Sequence, residues 1–224
     1  MHKSLYSLML LDELVERVDR LAAEQGTNRS NMINQLLARE LAVTTPEMRI
    51  GSVFRQIESL MNEELSGIVP FVNPHQLTMS MKSSLAYKYR PTIKYELELF
   101  RRPEGAVGRL SVVFRSQSAA LIGAMDAFFR LWISLEERYL GAAYERGLLE
   151  RPRYELYEGR FTRTVSPPRD RDYDASTLGR ELNDYINMFD RLLKEYLARS
   201  GEPDIDRQVE LKYRDYLNRG VGLL

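Results

Sequence analysis

The sequence predicts an α+β protein built in two parts. Residues 3–10 read as a short strand with two distinct faces, and two amphipathic stripes at helical spacing follow and end by residue 45. Farther on, two alternating segments flank a Pro-Glu-Gly turn at 103–105. After residue 117 the apolar residues return to helical spacing over long stretches. These observations place a small N-terminal domain at 1–45 and a larger α+β domain at 46–224, with an antiparallel meander and several long helices.

In the first domain, Tyr6, Leu8 and Leu10 alternate with Leu5, Ser7 and Met9, as in a short strand with two distinct faces. Asp12 and Glu13 open a helix, where carboxylates favour the positive end of the helix dipole. Leu14, Val15, Val18, Leu21 and Ala22 form its stripe, and Gly26 ends it, as a cap residue of positive φ does. Asn28 is the expected N-cap of a second helix, with Arg29 and Ser30 in its first turn. Met32, Ile33, Leu36, Leu37 and Leu41 form the second stripe, and Thr44-Thr45-Pro46 closes the unit.

A lone strand and two short helices do not bury their apolar faces unaided. Domains of about 40 residues usually need a metal, a disulfide or a second copy. The chain has no cysteine and two histidines, which leaves oligomerisation. Pairing the strand with its counterpart in a second chain supplies both a backbone partner and a core.

The ordered set of alternating strand, Asp-Glu-Leu helix start, apolar spacing and Gly-x-x-Arg-Ser restart resembles the ribbon-helix-helix (MetJ/Arc/CopG-like) DNA-binding domains, most closely the CopG-like branch. The resemblance covers about a fifth of the chain. It implies a two-fold dimer whose paired strands enter the major groove of double-stranded DNA. By that resemblance Leu5, Ser7 and Met9 face the bases. Tyr6, Leu8, Leu10, Val18, Leu21, Ile33, Leu36 and Leu37 form the dimer core. The same resemblance implies that Asn28, Arg29 and Ser30 contact phosphate, at a helix N-terminus whose free N–H groups suit an anion, and Lys3 is expected to add a phosphate contact.

One departure stands out. Relatives usually carry Arg, Lys, Thr, Asn or Gln on the reading face, whereas Leu5 and Met9 are apolar. A bidentate contact to a base gives about 1–3 kcal/mol of discrimination, and neither residue makes one. They suit thymine methyl groups and leave Ser7 as the polar reader. Residues 1–45 hold five basic and six acidic side chains, a net of −1. Modest affinity per dimer and cooperative binding to tandem sites are therefore expected. A ribbon that only dimerises remains the alternative.

In the larger part, a helix begins at Pro46, with Val53, Phe54, Ile57, Leu60 and Met61 on one side. Ile93, Tyr95, Leu97 and Leu99 alternate with Lys94, Glu96 and Glu98, and Leu110, Val112 and Phe114 make the return strand. Residues 78–89 are assigned a third strand. Residues 117–145 read as a helix apolar over most of its circumference, 151–174 as irregular, and two more helices follow over Leu178–Leu197 and Ile205–Leu217.

Composition narrows the function. Lys+Arg and Asp+Glu both number 32, which excludes a generally polybasic binder but not a local DNA surface. Without cysteine there is no disulfide, thiolate metal site or cysteine nucleophile. No Gly-rich phosphate loop or Ser-elbow appears, and Glu96 with Glu98 reads as a solvated strand face, so no enzyme is expected. Neither a cofactor nor a metal is expected. No run approaches about 18 apolar residues, and a cytoplasmic protein without membrane contact is expected. Lys82, Tyr87, Lys88, Tyr89 and Arg90 interleave cations with aromatics, a pattern that fits either a secondary nucleic-acid or ligand surface or a lysine-protected edge strand. The arginines of 151–171 offer a second phosphate surface or local ion pairs with the interspersed acids.

Together these point to a sequence-specific DNA-binding transcriptional repressor, a homodimer that assembles further through its second domain. The alternatives are an accessory DNA-binding protein of a mobile element, in plasmid maintenance or DNA processing, and a dimeric protein-interaction module.

Overall fold

The two N-terminal stripes become helices α1 (Asp12–Glu24) and α2 (Arg29–Glu40) in a computed structural model, which describes residues 4–63, 67–72, 77–85, 91–169, 173–221 and 224. Between the helices, Gly26 takes φ 55°, the Thr27 N–H donates to the Ala22 carbonyl and the Gly26 N–H to the Ala23 carbonyl. This pair of bonds is a Schellman cap, and only a residue at ease with positive φ closes it without strain. The same cap recurs after α2, where Val43 donates to Ala38 and Ala42 to Arg39. There the positive-φ position is Ala42, at 53°, and its Cβ makes that conformation costly.

Residues 4–11 form neither helix nor strand. Among the described residues the alternating segment pairs with no strand of the same chain.

The chain divides into two compact units, residues 1–48 and 49–224. Helix α3 (Pro46–Glu63) starts with proline in its first turn, where a missing N–H costs nothing, and the Met48 N–H donates to Thr45 Oγ1 at 3.1 Å. Its Ile50, Val53, Phe54, Ile57 and Met61 are buried in the core of the second unit.

That unit is built on one antiparallel sheet of six strands in the order β1-β2-β3-β4-β6-β5. The strands are β1 (Ile68–Val72), β2 (Thr78–Ser84), β3 (Thr92–Glu104), β4 (Ala106–Phe114), β5 (Tyr154–Tyr157) and β6 (Arg160–Val165). The three-stranded meander is thus the middle of a wider sheet. Residues 68–72, around the Pro70 that in sequence marks a helix stop, form its edge, because Ile68–Val72 pairs along the whole of Val72↔Met79 to Ile68↔Ser83. The segment 151–174, expected to be irregular, contains a hairpin: Arg160-Phe-Thr-Arg-Thr-Val165 alternates and is rich in β-branched and aromatic residues, and Gly159 turns it with φ 71°.

Register puts one row of side chains on the inner face: Met79, Leu97, Leu110, Arg163 and Tyr154 stand opposite one another across β2, β3, β4, β6 and β5. The next row is Met81, Tyr95, Val112, Phe161 and Leu156. Helices α4 (Ala119–Glu145), α5 (Ala175–Ala198) and α6 (Ile205–Asn218) join α3 in one core with this face. Ser118 and Asp174 cap α4 and α5 through their side chains. Phe129 of α4 stacks on Phe161 of β6 at 4.8 Å, and Phe189 of α5 meets Trp132 at 4.6 Å and Tyr95 edge-on at 6.2 Å.

A charged group lies inside this core. Arg163 and Glu136 are both fully buried, with Nε and Oε2 3.3 Å apart. Glu136 also accepts from Tyr154 Oη at 2.5 Å and from Tyr185 Oη at 2.8 Å, and Tyr185 accepts from Trp132 Nε1 at 2.9 Å. The Arg163 guanidinium lies over the Tyr185 ring, 4.6 Å from its centre, and donates to the Leu224 carbonyl. Strand period 2 delivers Arg163 to the inner face, and helix period 3.6 delivers Glu136 to the same face as Trp132 and Leu140.

Candidate nucleic-acid interface

The N-terminal arm keeps the alternation that the sequence shows. Leu5 and Met9 are 98% and 102% exposed, while Tyr6, Leu8 and Leu10 fall to 80%, 66% and 44%. The two faces are therefore already distinct before any partner covers one of them. Among the described residues, eleven of the sixteen exposed large apolar side chains lie in the first 43 positions, from Leu5 to Val43. The second unit covers its apolar residues well, so the excess belongs to the small unit. A single copy is not a complete core.

Of the residues expected at the dimer core, Val18, Ile33 and Leu36 are half-buried in a single copy, and Leu21 and Leu37 are exposed. The side chains that one copy does bury in this pair of helices are Ala22, Met32 and Ala38.

At the helix restart, Asn28 is extended at φ −101° and ψ 162°, and its Oδ1 accepts the Asn31 N–H at 2.9 Å. This satisfies the third N–H of α2 from within the chain. Ser30 begins the turn beside it, and its carbonyl accepts from Asn34 Nδ2. Arg29 does not extend freely from the helix start. Its Nε and Nη2 donate to Asp19 Oδ1 and Oδ2 at 2.7 and 2.6 Å, a two-point pair that ties α2 back to α1. The hydrogen bond from Arg29, reinforced by its charge, holds the Asp19 carboxyl below its ordinary pKa, and Asp19 in turn raises that of Arg29. Nothing in the sequence spacing exposes this pair, because residues ten apart meet only through the cap geometry at Gly26. Lys3 lies outside the described residues.

The two further basic stretches resolve differently from the N-terminal site. Lys82 lies on β2, which is an inner strand of the sheet and not an edge, and its ammonium sits 5.1 Å from the Phe71 ring centre. Tyr87, Lys88, Tyr89 and Arg90 lie outside the described residues. In 151–171, Arg151 pairs with Glu137, Arg160 with Glu96, Arg169 with Glu150, and Arg163 is in the core, so these cations are engaged internally. Arg171 is outside the described residues.

The outer sheet face carries a shallow concavity of about 410 Å³ lined by Arg102, Arg109, Arg153, Glu104, Glu150 and Glu155, among others. Arg109 pairs with Glu98 there, and Glu96 is held by Lys94 and Arg160. Glu96 and Glu98 are thus members of ion pairs on a solvated face. Among the described residues, no group of acidic and histidine side chains is placed to hold a metal ion. No helix among them is long and apolar enough to cross a membrane.

Residues 7–42 match the family model described as ribbon-helix-helix protein, copG family. No curated protein and no solved structure gives a significant match to the chain. The matched span takes in Ser7 and Met9 of the arm, both helices, the Gly26 cap and the Asn28-Arg29-Ser30 restart. The chain therefore carries, at its N-terminus, a copG-family ribbon-helix-helix domain, the fold of a family of DNA-binding regulators.

Proposed function

We propose that the protein is a sequence-specific transcriptional repressor that binds DNA as a dimer through its N-terminal arms. Two copies of residues 5–10 pair as a ribbon, with Leu5, Ser7 and Met9 toward the bases in the major groove and Tyr6, Leu8 and Leu10 toward the partner. The observation that carries this reading is the graded exposure of the arm, where the face expected toward DNA is fully exposed and the other is partly shielded. Asn28, Arg29 and Ser30 approach a phosphate at the N-terminal end of α2.

The apolar reading face favours thymine methyl groups and supplies little hydrogen-bond discrimination. Specific occupancy then rests on several dimers bound side by side, and the 49–224 domain is assigned that assembly role. Linking binding events in this way raises avidity without a new base contact.

Selection of DNA from a random library with the full chain, followed by gel-shift titration on the selected site, tests this directly. Dimer-sized steps with a steep, Hill-like transition on tandem sites support the reading. Tight, non-cooperative binding to a single pair of half-sites removes the assembly role. No retained DNA at low salt removes the DNA-binding role and leaves a dimerisation module.

A further inference from the structure

We propose that Asp19 limits DNA affinity by holding Arg29 in a neutral pair that a phosphate must open or share. The inference rests on the proposed DNA contact at the start of α2 and adds a specific opponent to it. Both carboxylate oxygens of Asp19 are engaged, on Arg29 Nε and Nη2, at 2.7 and 2.6 Å. That edge of the guanidinium is one of those that grip a phosphate in two-point fashion. Here it is occupied by the chain itself.

The pair is about half exposed on each side, at 55% for Arg29 and 44% for Asp19, so it lies within reach of a ligand and of solvent ions. It is also held in place. The Schellman cap at Gly26 fixes the turn between the helices, and Asn28 fixes the start of α2 by taking the Asn31 N–H. The guanidinium keeps a second edge, formed by Nη1 and the remaining Nη2 proton. A phosphate arriving there meets an ion pair and not an isolated cation, with the carboxylate repelling it from the far side. Displacing Asp19 instead leaves an unpaired carboxylate beside the DNA. Either route lowers the gain from the contact.

The effect is independent of base sequence, because phosphates are the same everywhere. It therefore acts most visibly on random DNA, where the phosphate contacts supply nearly all the affinity. For a ribbon with Leu5 and Met9 on its reading face, a weak phosphate anchor keeps the protein from being held by any duplex it meets. The acidic excess of residues 1–45, six acids against five bases, becomes a balance once Asp19 is neutralised.

The test is a two-by-two comparison of the full-length protein with Asp19→Asn, Arg29→Ala and the double variant, on a random-sequence duplex across a salt series. Asp19→Asn is expected to steepen the salt slope by about 1.8 per dimer, one released phosphate contact for each protomer. Between 200 and 50 mM salt that difference amounts to an extra gain of about tenfold. The gain is expected to vanish in the Arg29→Ala background, and Asp19→Glu is expected to behave as the unaltered protein does. A slope unchanged by Asp19→Asn, weaker binding, or a gain that survives without Arg29 overturns the inference, while DNA binding by the unaltered protein still stands. Failure of the unaltered protein to bind any DNA removes both readings together.

Discussion

Breaking the buried pair in the second unit offers the most demanding test of how the fold is held. Arg163→Met removes the guanidinium and leaves Glu136 fully buried, with the hydroxyls of Tyr154 and Tyr185 still donating to it. Glu136→Gln keeps an acceptor for those hydroxyls but leaves the buried guanidinium without its counter-charge. Removing one partner of a fully buried pair costs about 3–5 kcal/mol, because the survivor keeps the penalty of desolvation. For a unit of this size, about 2–4 °C of melting temperature accompanies each kcal/mol, so either variant should lower it by about 6–20 °C. The double variant Glu136→Gln with Arg163→Met removes both charges and should lose less than the two single losses combined. Urea melts followed by the fluorescence of Trp132 report on the site directly, since its Nε1 donates to Tyr185 in the same network. A loss below about 1 kcal/mol in either single variant, or strict additivity in the double, would refute the claim that the two charges are sealed from water and depend on one another.

Three other outcomes follow from features of the same molecule. Replacing Ala42 with Gly should stabilise the N-terminal unit by about 0.5–1 kcal/mol, because a φ of 53° costs an alanine what it does not cost a glycine; thermal melts at fixed protein concentration measure it, and a loss of stability would contradict the strained cap. Leu8→Asp should shift the protein toward monomer in sedimentation and abolish DNA retardation, whereas Met9→Ala should leave the dimer intact and alter only base preference; equal effects of the two would erase the distinction between the faces of the arm. Burial first, then the Asp190 charge and hydrogen bond, raises the Tyr95 pKa, and burial also dominates the rise at Tyr185. Both groups keep their protons in the folded state above the unfolded value of about 10. Their contribution is thus complete below that pH and is lost as pH climbs beyond it. The tyrosinate absorbance of Tyr95 and Tyr185 should appear in one cooperative step together with unfolding, and a gradual titration of every tyrosine in a folded protein would exclude their burial.

How far the sequence speaks for itself differs between the two units. The N-terminal helices are legible because each has a local signature. Gly26 reports a positive φ, Asn28 a cap, and the stripes report period 3.6. The helices of the second unit are legible for the same reason, as is the β3–β4 hairpin, whose Lys94, Glu96 and Glu98 mark a solvated face. Strands β1, β5 and β6 are less so. β1 is short and interrupted by Pro70, and β6 carries Arg163 at an inward position, where a charge disguises a buried strand as a polar loop. Its Phe161, Arg163 and Val165 do alternate, and the Glu158-Gly159 turn before them is a hairpin signal. Glu136 is hidden in the same way within an apolar helix. Its partner is 27 residues away along the chain and joins it only when the sheet register is known. Asp19 and Arg29 show the limit at short range, since no helical spacing relates two residues on either side of a cap.

The exposed arm at residues 4–11 has a consequence for how the protein responds to its own abundance. An element that gains a core only between two copies is stabilised by the concentration of the chain as well as by its sequence. In the proposed dimer, arms at low copy number stay unpaired and the proposed reading surface is not assembled. As protein accumulates, such a ribbon forms with second-order dependence on the amount of protein. On that reading, gene dosage becomes an input before any operator or effector is considered.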